Sequence, residues 1–251
     1  MSDVIISSDG SVQIVTIDRA ERRNALTVAG TQEVASAIEE ASRSSPIVVL
    51  TGAGKAFCAG GDFDELQKLS QADPAEAADR LYAGYQGLIR TIRATDSIVI
   101  AAINGHAMGA GMDLALCCDL RIASEDARLG QVWVKLGIIP GTGGAFWVSA
   151  LAGPGRASQM LLSGEPITSE TALEWGLVNE VVSSDAVLTR AIEIGHQLAM
   201  LPKGALAANK RAIDEVIKGG YEAALDHAKA VQPIRFASAE FRDALSAAAK
   251  R

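Results

Sequence analysis

The apolar positions of this chain fall into short continuous runs that end at turn residues. Residues 98–103 are followed by Asn104-Gly105, and residues 47–51 are followed by Gly52. Runs of this length that are rich in β-branched side chains are typical of strands buried on both faces. We therefore expect two strands inside a sheet, and a further strand at residues 120–123.

Weaker patterns predict a hairpin and a first helix near the start of the chain. Residues 4–7 and 12–18 flank Asp9-Gly10, a dipeptide that favours a hairpin turn. Thr27 is a suitable N-cap for a helix that ends at residues 44–46. Its core-facing positions recur at helical spacing and are Val34, Ala37, Ile38 and Ala41.

A second long helix is predicted from Asp73-Pro74 to about Thr95, because an acidic N-cap followed by proline is a typical helix start. Its apolar stripe consists of Leu81, Tyr85, Leu88 and Ile92. Beyond residue 144 the pattern is mainly helical. Helices are expected at residues 145–152, 156–163, 169–174, 185–201 and 203–217, with two more up to residue 251. Pro202 and Gly219-Gly220 are predicted to separate the last of these.

The two predicted central strands are each followed by a segment made almost entirely of small residues. The first covers residues 52–63, and the second covers residues 104–113. Glycine lets other groups approach the backbone closely, and the first N–H groups of a helix have no partner of their own. Two such loops could direct two N–H donors at one oxygen. A single loop of this kind would more simply indicate tight packing.

These loops resemble the two oxyanion-hole segments of the crotonase (enoyl-CoA hydratase/isomerase) superfamily. The segments that carry the resemblance lie in the family's order over nearly the whole chain. They are residues 22–26 (RRNAL), 55–62 (KAFCAGGD), 104–113 (NGHAMGAGMD), 118–123 (CDLRIA), 137–144 (GIIPGTGG) and 172–182 (ALEWGLVNEVV).

The resemblance implies an α/β fold, the ClpP/crotonase-type spiral of ββα units with a C-terminal helical extension. Residues 1–195 would form the spiral core. Residues 196–251 would form the extension, which covers the active site and builds a homotrimer or a hexamer and is not an independent domain. Periodicity alone indicates only a mixed α/β chain.

Composition supports an oligomer and excludes other partners. Apolar residues make up 49% of the chain, yet no run approaches the roughly 18 residues of a membrane span. We therefore expect apolar subunit contacts and no membrane partner. A net charge of −7 without a basic cluster argues against a nucleic-acid partner.

No secretion signal is apparent at the start, which favours a cytoplasmic protein. Three cysteines, Cys58, Cys117 and Cys118, are interpreted as small buried side chains.

The resemblance also assigns residues to the recognition of a coenzyme A thioester, which would be the substrate; no permanently bound cofactor and no metal are expected. The oxyanion donors would be the N–H groups of Gly61 and Ala110, the latter at a position where glycine is commoner. The family's coenzyme A positions correspond to Arg23, Ala25, Lys55, Ala59, Asp62 and Phe63. Asp62 is equally suited to cap the next helix. Arg19 and Arg22 are further candidates for contact with the phosphates.

The acid/base positions depart from the family pattern. Typical hydratases use two glutamates; here the first position is Asp113 and the second is Trp133, which cannot exchange protons. A two-carboxylate hydratase is therefore not supported. Asp113 is either the acid/base group or a carboxylate that only holds the start of a helix. Trp133 is similar to the pocket tryptophan of 4-chlorobenzoyl-CoA dehalogenases, but their nucleophilic aspartate would fall on Gly141.

Other polar residues have open roles. Trp133, Gly141 and His106 are assigned to the acyl pocket, with Trp133 as an apolar wall. His106 is chemically suited to be a base but occupies a packing position in the motif. Gln131 could orient a water, and a role on the surface or in support of a neighbouring side chain is as well founded. Glu125 is a fallback carboxylate.

The predicted function is an acyl-CoA-processing enzyme of the enoyl-CoA hydratase/isomerase family that stabilises a thioester enolate. The alternatives are a CoA-thioester hydrolase, a decarboxylase, a C–C lyase or an acyl-CoA-binding homologue without catalysis. A serine protease is disfavoured because the three histidines, His106, His196 and His227, have no nucleophile motif beside them. A P-loop at Gly54-Lys55 is excluded, since Val49 and Ala56 occupy required positions.

Overall fold

The computed structural model describes residues 3–249, except for the side chains of residues 81, 218, 221, 224 and 240. The described strands are β1 (Val4–Asp9), β2 (Val12–Ile17), β3 (Ile47–Gly52), β4 (Ala56–Cys58), β5 (Ile98–Ile103), β6 (His106–Met108), β7 (Leu120–Ser124), β8 (Arg128–Gly130), β9 (Ile167–Thr168) and β10 (Glu180–Val182). The helices are α1 (Val28–Ser44), α2 (Phe63–Leu69), α3 (Pro74–Ala94), α4 (Ala110–Leu116), α5 (Gly144–Ala152), α6 (Pro154–Ser163), α7 (Ser169–Glu174), α8 (Val187–Ala199), α9 (Lys203–Phe236) and α10 (Ala239–Ala248).

A six-stranded sheet has the order β1-β2-β3-β5-β7-β10. β1 and β2 form the predicted antiparallel hairpin, and every other neighbouring pair is parallel. β3 and β5 are buried at every residue. Val48 and Leu50 face the larger apolar core, whereas Ile47 and Val49 face a second core that includes residues of α8. Because both faces are covered, the strands are continuous apolar runs, as predicted.

The second sheet has the order β4-β6-β8-β9. Three successive strand pairs, β3/β4, β5/β6 and β7/β8, each contribute their first strand to the larger sheet and their second to the smaller one. Helices follow each pair, which is the ββα repetition that the resemblance implies. The three-residue strands β4 and β6 lie inside the loops that sequence analysis treated as irregular.

The starts of the first two long helices agree with the prediction. Thr27 accepts a hydrogen bond from the N–H of Gly30 (2.9 Å) and caps α1. Asp73 accepts hydrogen bonds from two N–H groups of the first turn of α3, where Pro74 is the first residue. Tyr85, Leu88 and Ile92 are buried as expected; the side chain of residue 81 lies outside the described part.

The predicted break at Gly219-Gly220 is wrong, because α9 continues through it. A Cβ on Gly220 would lie 2.7 Å from Cε2 of Phe146 in α5. Glycine therefore stands there to admit a close contact between two helices, not to end one. The helix remains continuous because tertiary packing outweighs the low helix propensity of two glycines.

Buried ion pairs and hydrogen bonds connect α9 to α3 and to the segments that precede β5 and β7. Lys210 is buried, and its Nζ lies 2.9 Å from Asp119 Oδ2 and donates to the carbonyls of Ile92 and Ser97. Arg93 also pairs with Asp119 (3.0 Å) and with Asp214 of α9. The predicted boundary between the spiral core and the C-terminal extension, at residue 195, falls within α8. This boundary stays a prediction.

The three cysteines are buried thiols without a disulfide, as predicted. Burial raises the pKa of Cys58 to about 12, so its thiol stays protonated and unreactive near neutral pH. Among residues 3–249, no helix combines the length and the apolar character that a membrane span needs.

Candidate active site

The two small-residue loops pack directly against each other. β4 pairs with β6 in parallel, with Ala56 opposite His106. A Cβ on Gly105 would lie 2.1 Å from the carbonyl oxygen of Lys55, and one on Gly111 would lie 2.2 Å from that of Cys58. Real Cβ atoms do not come this close to backbone oxygens. Glycine is therefore required at both positions for the loops to meet.

The contact brings Gly61 and Ala110 to the same place. Leu26 and Gly61 form an isolated parallel β-bridge. The Leu26 N–H donates to the carbonyl of Gly60 (2.7 Å), and the Leu26 carbonyl accepts from the N–H of Asp62 (2.8 Å). In this arrangement the Gly61 N–H faces away from Leu26. Ala110 is the first residue of α4. Neither N–H group donates to another residue within the described part of the chain.

A narrow cavity of about 20 Å³ lies between these two residues. Its wall is contributed by both loops, by α3, by the segment before α5 and by the C-terminal part of α9. The lining residues are Gly61, Leu66, Tyr82, Tyr85, Ala110, Trp133, Gly141, Thr142, Gln232 and Phe236. The sequence-predicted oxyanion pair, Trp133 and Gly141 are therefore together at one cavity.

Asp113 is fully buried one turn into α4 and does not itself line this cavity. Its Oδ1 accepts a hydrogen bond from Gln131 Nε2 (2.5 Å), and its Oδ2 accepts one from the Thr142 hydroxyl. The Gly144 N–H also donates to the carboxylate. A Cβ on Gly144 would come within 2.1 Å of Oδ1, so the glycine makes room for the carboxylate.

The surroundings of Asp113 leave its charge uncompensated. Burial raises the pKa of this carboxyl to about 6, against the opposing effect of the hydrogen bonds from Thr142, Gln131 and the Gly144 N–H. All three donors are neutral, and neutral donors offset only part of the cost of removing a carboxylate from water. A carboxyl with a pKa near 6 can both accept and return a proton near neutral pH.

Thr142 is the residue that sequence analysis missed. Its side chain is buried, lines the cavity, and donates to Asp113. It therefore stands between the carboxylate and the space where a ligand would enter. Residues 137–144 (GIIPGTGG) contain it, but a single threonine in a glycine-rich segment has no sequence pattern that distinguishes it from an ordinary loop residue.

Gln131 immediately precedes a 3₁₀ turn at Val132–Leu136, and Trp133 is the second residue of that turn. Gln131 is fully buried and donates to Asp113, which excludes the surface alternative and fits the supporting one. Trp133 is 7% exposed and forms part of the cavity wall. Gly141 faces Tyr82, since a Cβ there would lie 3.4 Å from the tyrosine Cε1.

The segments assigned to coenzyme A lie side by side. The N–H of Ala59 donates to the carbonyl of Arg23 (3.0 Å), which joins the loop before α1 to the first small-residue loop. Buried Asn24 strengthens this junction: its Nδ2 donates to the carbonyls of Ala53 (2.9 Å) and Ala56 (2.7 Å). Arg23 and Lys55 are exposed, as is Phe63. Ala25 is half-buried at the same junction.

Asp62 caps α2, accepting from the N–H groups of Asp64 (3.0 Å) and Glu65 (3.4 Å). It is buried beside the guanidinium groups of Arg19 (3.4 Å) and Arg22 (3.3 Å). This favours the capping role over direct contact with coenzyme A. Arg19 and Arg22 are correspondingly occupied by acidic partners in this structure, which leaves Arg23 as the better placed of the three for a phosphate.

The remaining polar candidates lie elsewhere. His106 is exposed on β6, does not line the cavity, and accepts from the N–H of Arg128 (3.2 Å). Its assignment to the acyl pocket is therefore corrected, because the strand directs its ring to the surface. Glu125 is exposed in the turn after β7.

One histidine has serine and aspartate neighbours. His196 contacts Asp9 through Nε2 (3.0 Å) and Ser11 through Nδ1 (3.3 Å). Asp9 and Ser11 are exposed at the turn between β1 and β2, and His196 is half-buried on α8. A hydrolytic triad needs a sheltered nucleophile beside oxyanion donors, and Ser11 is exposed. This cluster therefore does not support the protease hypothesis.

The family model for "Enoyl-CoA hydratase/isomerase" matches residues 7–251. A short-chain-enoyl-CoA hydratase of Clostridium acetobutylicum is 34% identical over 98% of this chain and 94% of its own length. A 1,2-epoxyphenylacetyl-CoA isomerase of Escherichia coli is 32% identical over 98% of this chain and 95% of its own.

Solved structures agree on the fold. The crystal structure of an enoyl-CoA hydratase/isomerase from Mycobacterium paratuberculosis superimposes with a TM-score of 0.91 at 27% identity, covering 98% of both chains. An enoyl-CoA hydratase from Mycobacterium avium subsp. paratuberculosis gives a TM-score of 0.88 at 29% identity. The predicted α/β fold class is thereby confirmed.

Proposed function

Since the chain belongs to the enoyl-CoA hydratase/isomerase family and is an acyl-CoA-processing enzyme, we propose that it catalyses a proton shift in an unsaturated acyl-CoA ester. In this reaction a proton leaves one carbon, the electrons pass to the thioester oxygen, and a proton returns to another carbon. One acid/base group suffices for both transfers. The observation that carries the proposal is the cavity lined by Gly61, Ala110 and Thr142. The Thr142 hydroxyl donates a hydrogen bond to Asp113, which lies outside the cavity.

The thioester carbonyl would bind between the N–H groups of Gly61 and Ala110. Two fixed donors in a dry cavity stabilise the negative charge that develops on an enolate oxygen, and losing one typically costs about 3–4 kcal/mol of barrier. Support comes from their common cavity and from the absence of other partners for them among the described residues.

Asp113 would be the acid/base group, with the Thr142 hydroxyl passing the proton. As Thr142 receives a proton on Oγ1, its own proton moves to Asp113 Oδ2 along their existing hydrogen bond. The return of the proton reverses these two movements. A pKa of about 6 suits a carboxyl that must be available in both protonation states.

Hydration of a 2-enoyl-CoA is the second candidate, favoured by the activity in the name of the Clostridium acetobutylicum relative. It requires a water to be deprotonated and a carbon to be protonated, and the family's second glutamate is replaced here by Trp133. The isomerisation proposal avoids this difficulty. The hydrolase, decarboxylase, C–C lyase and non-catalytic alternatives are not favoured by the relatives.

Coenzyme A would lie along the junction of the loop before α1 and the first small-residue loop. Exposed Arg23 and Lys55 supply positive charge for its phosphates, and Ala25, Ala59 and Phe63 supply contact surface. The C-terminal part of α9 would cover the acyl group, because Gln232 and Phe236 already line the cavity.

Self-association into a trimer or a hexamer is also proposed. α9 exposes Ile213 (59%), Val216 (85%) and Ile234 (69%), which are large apolar side chains in contact with water in one chain. Burying such side chains between copies removes them from water. Light scattering at micromolar concentration should give three or six times the chain mass; the mass of one chain would refute the proposal.

The reaction is tested by incubating the enzyme with 3-hexenoyl-CoA and 2-hexenoyl-CoA and following the products by mass spectrometry and ultraviolet absorbance. An isomerase interconverts the two without a change in mass, whereas a hydratase adds the mass of one water to the 2-enoyl ester. Asp113→Asn should lower kcat by about 10²- to 10⁴-fold while coenzyme A binding persists.

Thr142 variants distinguish transfer through the hydroxyl from direct transfer. Thr142→Ser retains the hydroxyl and should stay within about tenfold of the wild type, whereas Thr142→Val removes it and should approach the loss of Asp113→Asn. Full activity of both Asp113→Asn and Thr142→Val would refute the proposed mechanism.

A further inference from the structure

β1 is an edge strand whose outer side is open. It stands first in the order of the six-stranded sheet and pairs with β2 alone among the described strands. The Asp18 N–H donates to the carbonyl of Asp3 (2.8 Å), which makes these two residues a hydrogen-bonded pair. Since such pairs alternate along an antiparallel ladder, the backbone N–H and C=O groups of Ile6 and Ser8 point away from β2. Within the described part of the chain these four groups have no partner.

The strand lacks the features by which proteins usually block such an edge. Its residues, Val4–Asp9, include no proline and no lysine, and all six pair with β2 in one continuous register. Proteins normally place proline, lysine or a bulge on an exposed edge, because its unpaired groups otherwise accept another strand. The open part of β1 is therefore a surface that a further strand can extend.

A groove of about 670 Å³ runs beside this edge, between β1 and one face of α1. Its lining residues are Val4, Ile6, Ala29, Gln32, Glu33, Ser36, Ala37 and Glu40. The members from α1 recur every three or four residues, so they form a single stripe along the helix. This stripe is about 17 Å long, which is the length of about five residues of an extended strand. The groove therefore has room for a short strand added to β1.

The groove has an apolar floor and an acidic rim. Ala37 is buried and Ile6 is half-buried. Glu33 and Glu40 are exposed. No basic residue is among the described residues that line the groove, and Arg43, the single basic residue of α1, lines a different cavity. A lysine or arginine side chain suits such a surface, because its aliphatic stem covers apolar atoms while its charged end reaches a carboxylate.

We propose that β1 is a docking site for an extended segment of another protein in which basic residues alternate with β-branched ones. The segment adds a strand to the six-stranded sheet through the backbone groups of Ile6 and Ser8. Its basic side chains point into the groove towards Glu33 and Glu40. Its β-branched side chains lie on the opposite face, beside Ile5, which is 48% exposed. The groove is separate from the cavity of the proposed reaction, so this inference does not depend on the proposed function.

A second copy of this chain fits the same edge less well. Pairing β1 with β1 of another copy around a twofold axis would place the two α1 helices side by side on one face of the joined sheet. Glu33 and Glu40 of one copy would then face the same residues of the other. Like charges that are held close together destabilise a contact. The charge of the groove therefore favours a basic partner.

The test measures the binding of three synthetic peptides by calorimetry at an ionic strength of about 0.1 M. The probe is acetyl-KVKVKVK-amide. Acetyl-EVEVEVE-amide forms a strand but has the opposite charge, and acetyl-KPKPKPK-amide keeps the charge but cannot form a strand. The probe should bind at least about tenfold more tightly than either control. Absence of binding by the probe, or equal binding of the two lysine peptides, would overturn the proposal.

Two charge reversals on α1 form a matched pair of variants. Glu40→Lys places a positive charge in the groove and should weaken binding of the probe at least about tenfold. Glu39→Lys makes the same change at the next residue, which is also exposed but lines a different cavity. It should weaken binding less than about threefold. Equal weakening by both variants would mean that only the net charge of the protein attracts the peptide, and the docking site would be refuted.

Amide hydrogen exchange locates the contact without any variant. The N–H groups of Ile6 and Ser8 should exchange at least about tenfold more slowly when the probe is bound. Those of Ile5 and Ser7, which point towards β2, should change little. Binding that leaves Ile6 and Ser8 unprotected would contradict the proposal. Protection of these two residues that develops without peptide as the protein concentration rises would assign the edge to a second copy, which would also overturn it.

Discussion

The two small-residue loops have equivalent places in the fold but are held by different interactions. Each follows a buried parallel strand and contains a short strand of the second sheet. Side chains secure the first loop, because Asn24 bonds to its carbonyls and Asp62 caps the helix that follows. Backbone packing secures the second, where Gly105 and Gly111 lie against carbonyl oxygens of the first loop.

Their aspartates show the same contrast. Burial tends to raise the pKa of Asp62, but the charges of Arg22 and Arg19 and a backbone N–H outweigh it and hold the pKa below its usual value. Burial raises the pKa of Asp113 to about 6, because its hydrogen-bond donors are neutral. Two buried carboxylates with several donors each thus differ in whether a cation compensates the charge.

This difference separates structural from reactive carboxylates. A compensated carboxylate stabilises the fold and keeps its charge, as Asp62 does at the start of α2. An uncompensated one destabilises the fold in its charged form and exchanges protons readily. The position of Asp113 near the proposed oxyanion donors is consistent with a site where stability is exchanged for reactivity.

The largest effect is expected from adding a side chain to the second loop. In Gly111→Ala the new Cβ would lie 2.2 Å from the carbonyl oxygen of Cys58 and 2.8 Å from its carbonyl carbon. Backbone atoms of a buried strand cannot move aside as a flexible side chain would. We expect a loss of more than about 4 kcal/mol in the free energy of unfolding, measured by urea denaturation.

Gly87→Ala is the control for that substitution. Gly87 lies within α3, and a Cβ on it would have nothing within 4 Å. Replacing a helical glycine by alanine should increase the free energy of unfolding by about 1 kcal/mol. If Gly111→Ala were as stable as the wild type, close contact between the loops would not be a requirement of the fold.

The second effect concerns the pH dependence of stability in Asp113→Asn. An aspartate with a pKa of about 6 when folded and 3.8 when unfolded holds more protons in the native state between these values, so stability falls as the pH rises through this window. Above it, the charged carboxylate costs about 3 kcal/mol. Asparagine removes the charge. Its amide can bond to the Oε1 of Gln131, which has no partner among the described residues.

Asp113→Asn should therefore unfold with a free energy up to about 3 kcal/mol higher than the wild type at pH 7, and the gain should shrink towards zero near pH 4. Urea denaturation at pH 4, 5, 6 and 7 measures the difference. A variant that is less stable than the wild type at pH 7 would show that the carboxylate charge stabilises this site.

The sequence predicts those helices and strands whose formation depends on residues close together in the chain. The caps at Thr27 and Asp73 and the buried runs of β3 and β5 depend on neighbouring residues and were placed correctly. Gly219-Gly220 was misjudged because the reason for Gly220 is a contact with Phe146, far away in the chain. β4 and β6 were missed because three residues are too few to show a period.

The same limit applies to the site. Motif order suggested Gly61, Ala110, Asp113 and Trp133, but the resemblance gives no orientation for a side chain. The position of Thr142 between Asp113 and the cavity results from α4 and the segment before α5 meeting in space. His106 illustrates the opposite error, since a motif residue can face the surface when it lies on a short strand.

The third effect concerns Asp62→Asn. This substitution keeps a capping oxygen for α2 but removes the charge that pairs with Arg19 and Arg22. A carboxylate with a lowered pKa contributes stability above its unfolded pKa of about 3.8 and loses it only as the pH falls below that value. We expect a loss of about 2 kcal/mol that is constant from pH 5 to pH 8.

The contrast with Asp113→Asn lies in both the sign and the slope, and urea denaturation over the same pH series tests it. Asp62→Asn should be destabilised by a constant amount, whereas Asp113→Asn should be stabilised increasingly as the pH rises. If the Asp62→Asn difference also varied strongly between pH 5 and pH 8, the two arginines would not compensate the charge of Asp62.

The smallest effect is expected from Gly61→Ala, the counterpart of Gly111→Ala in the first loop. A Cβ on Gly61 would lie 3.4 Å from Cδ1 of Leu66 and from the Tyr85 hydroxyl, which is ordinary contact, and its φ lies outside the left-handed region. The free energy of unfolding should change by less than about 1 kcal/mol. Because the donor is the backbone N–H, which alanine retains, kcat should stay within about tenfold of the wild type. A collapse of stability like that of Gly111→Ala would show that the first loop also depends on glycine packing at this position.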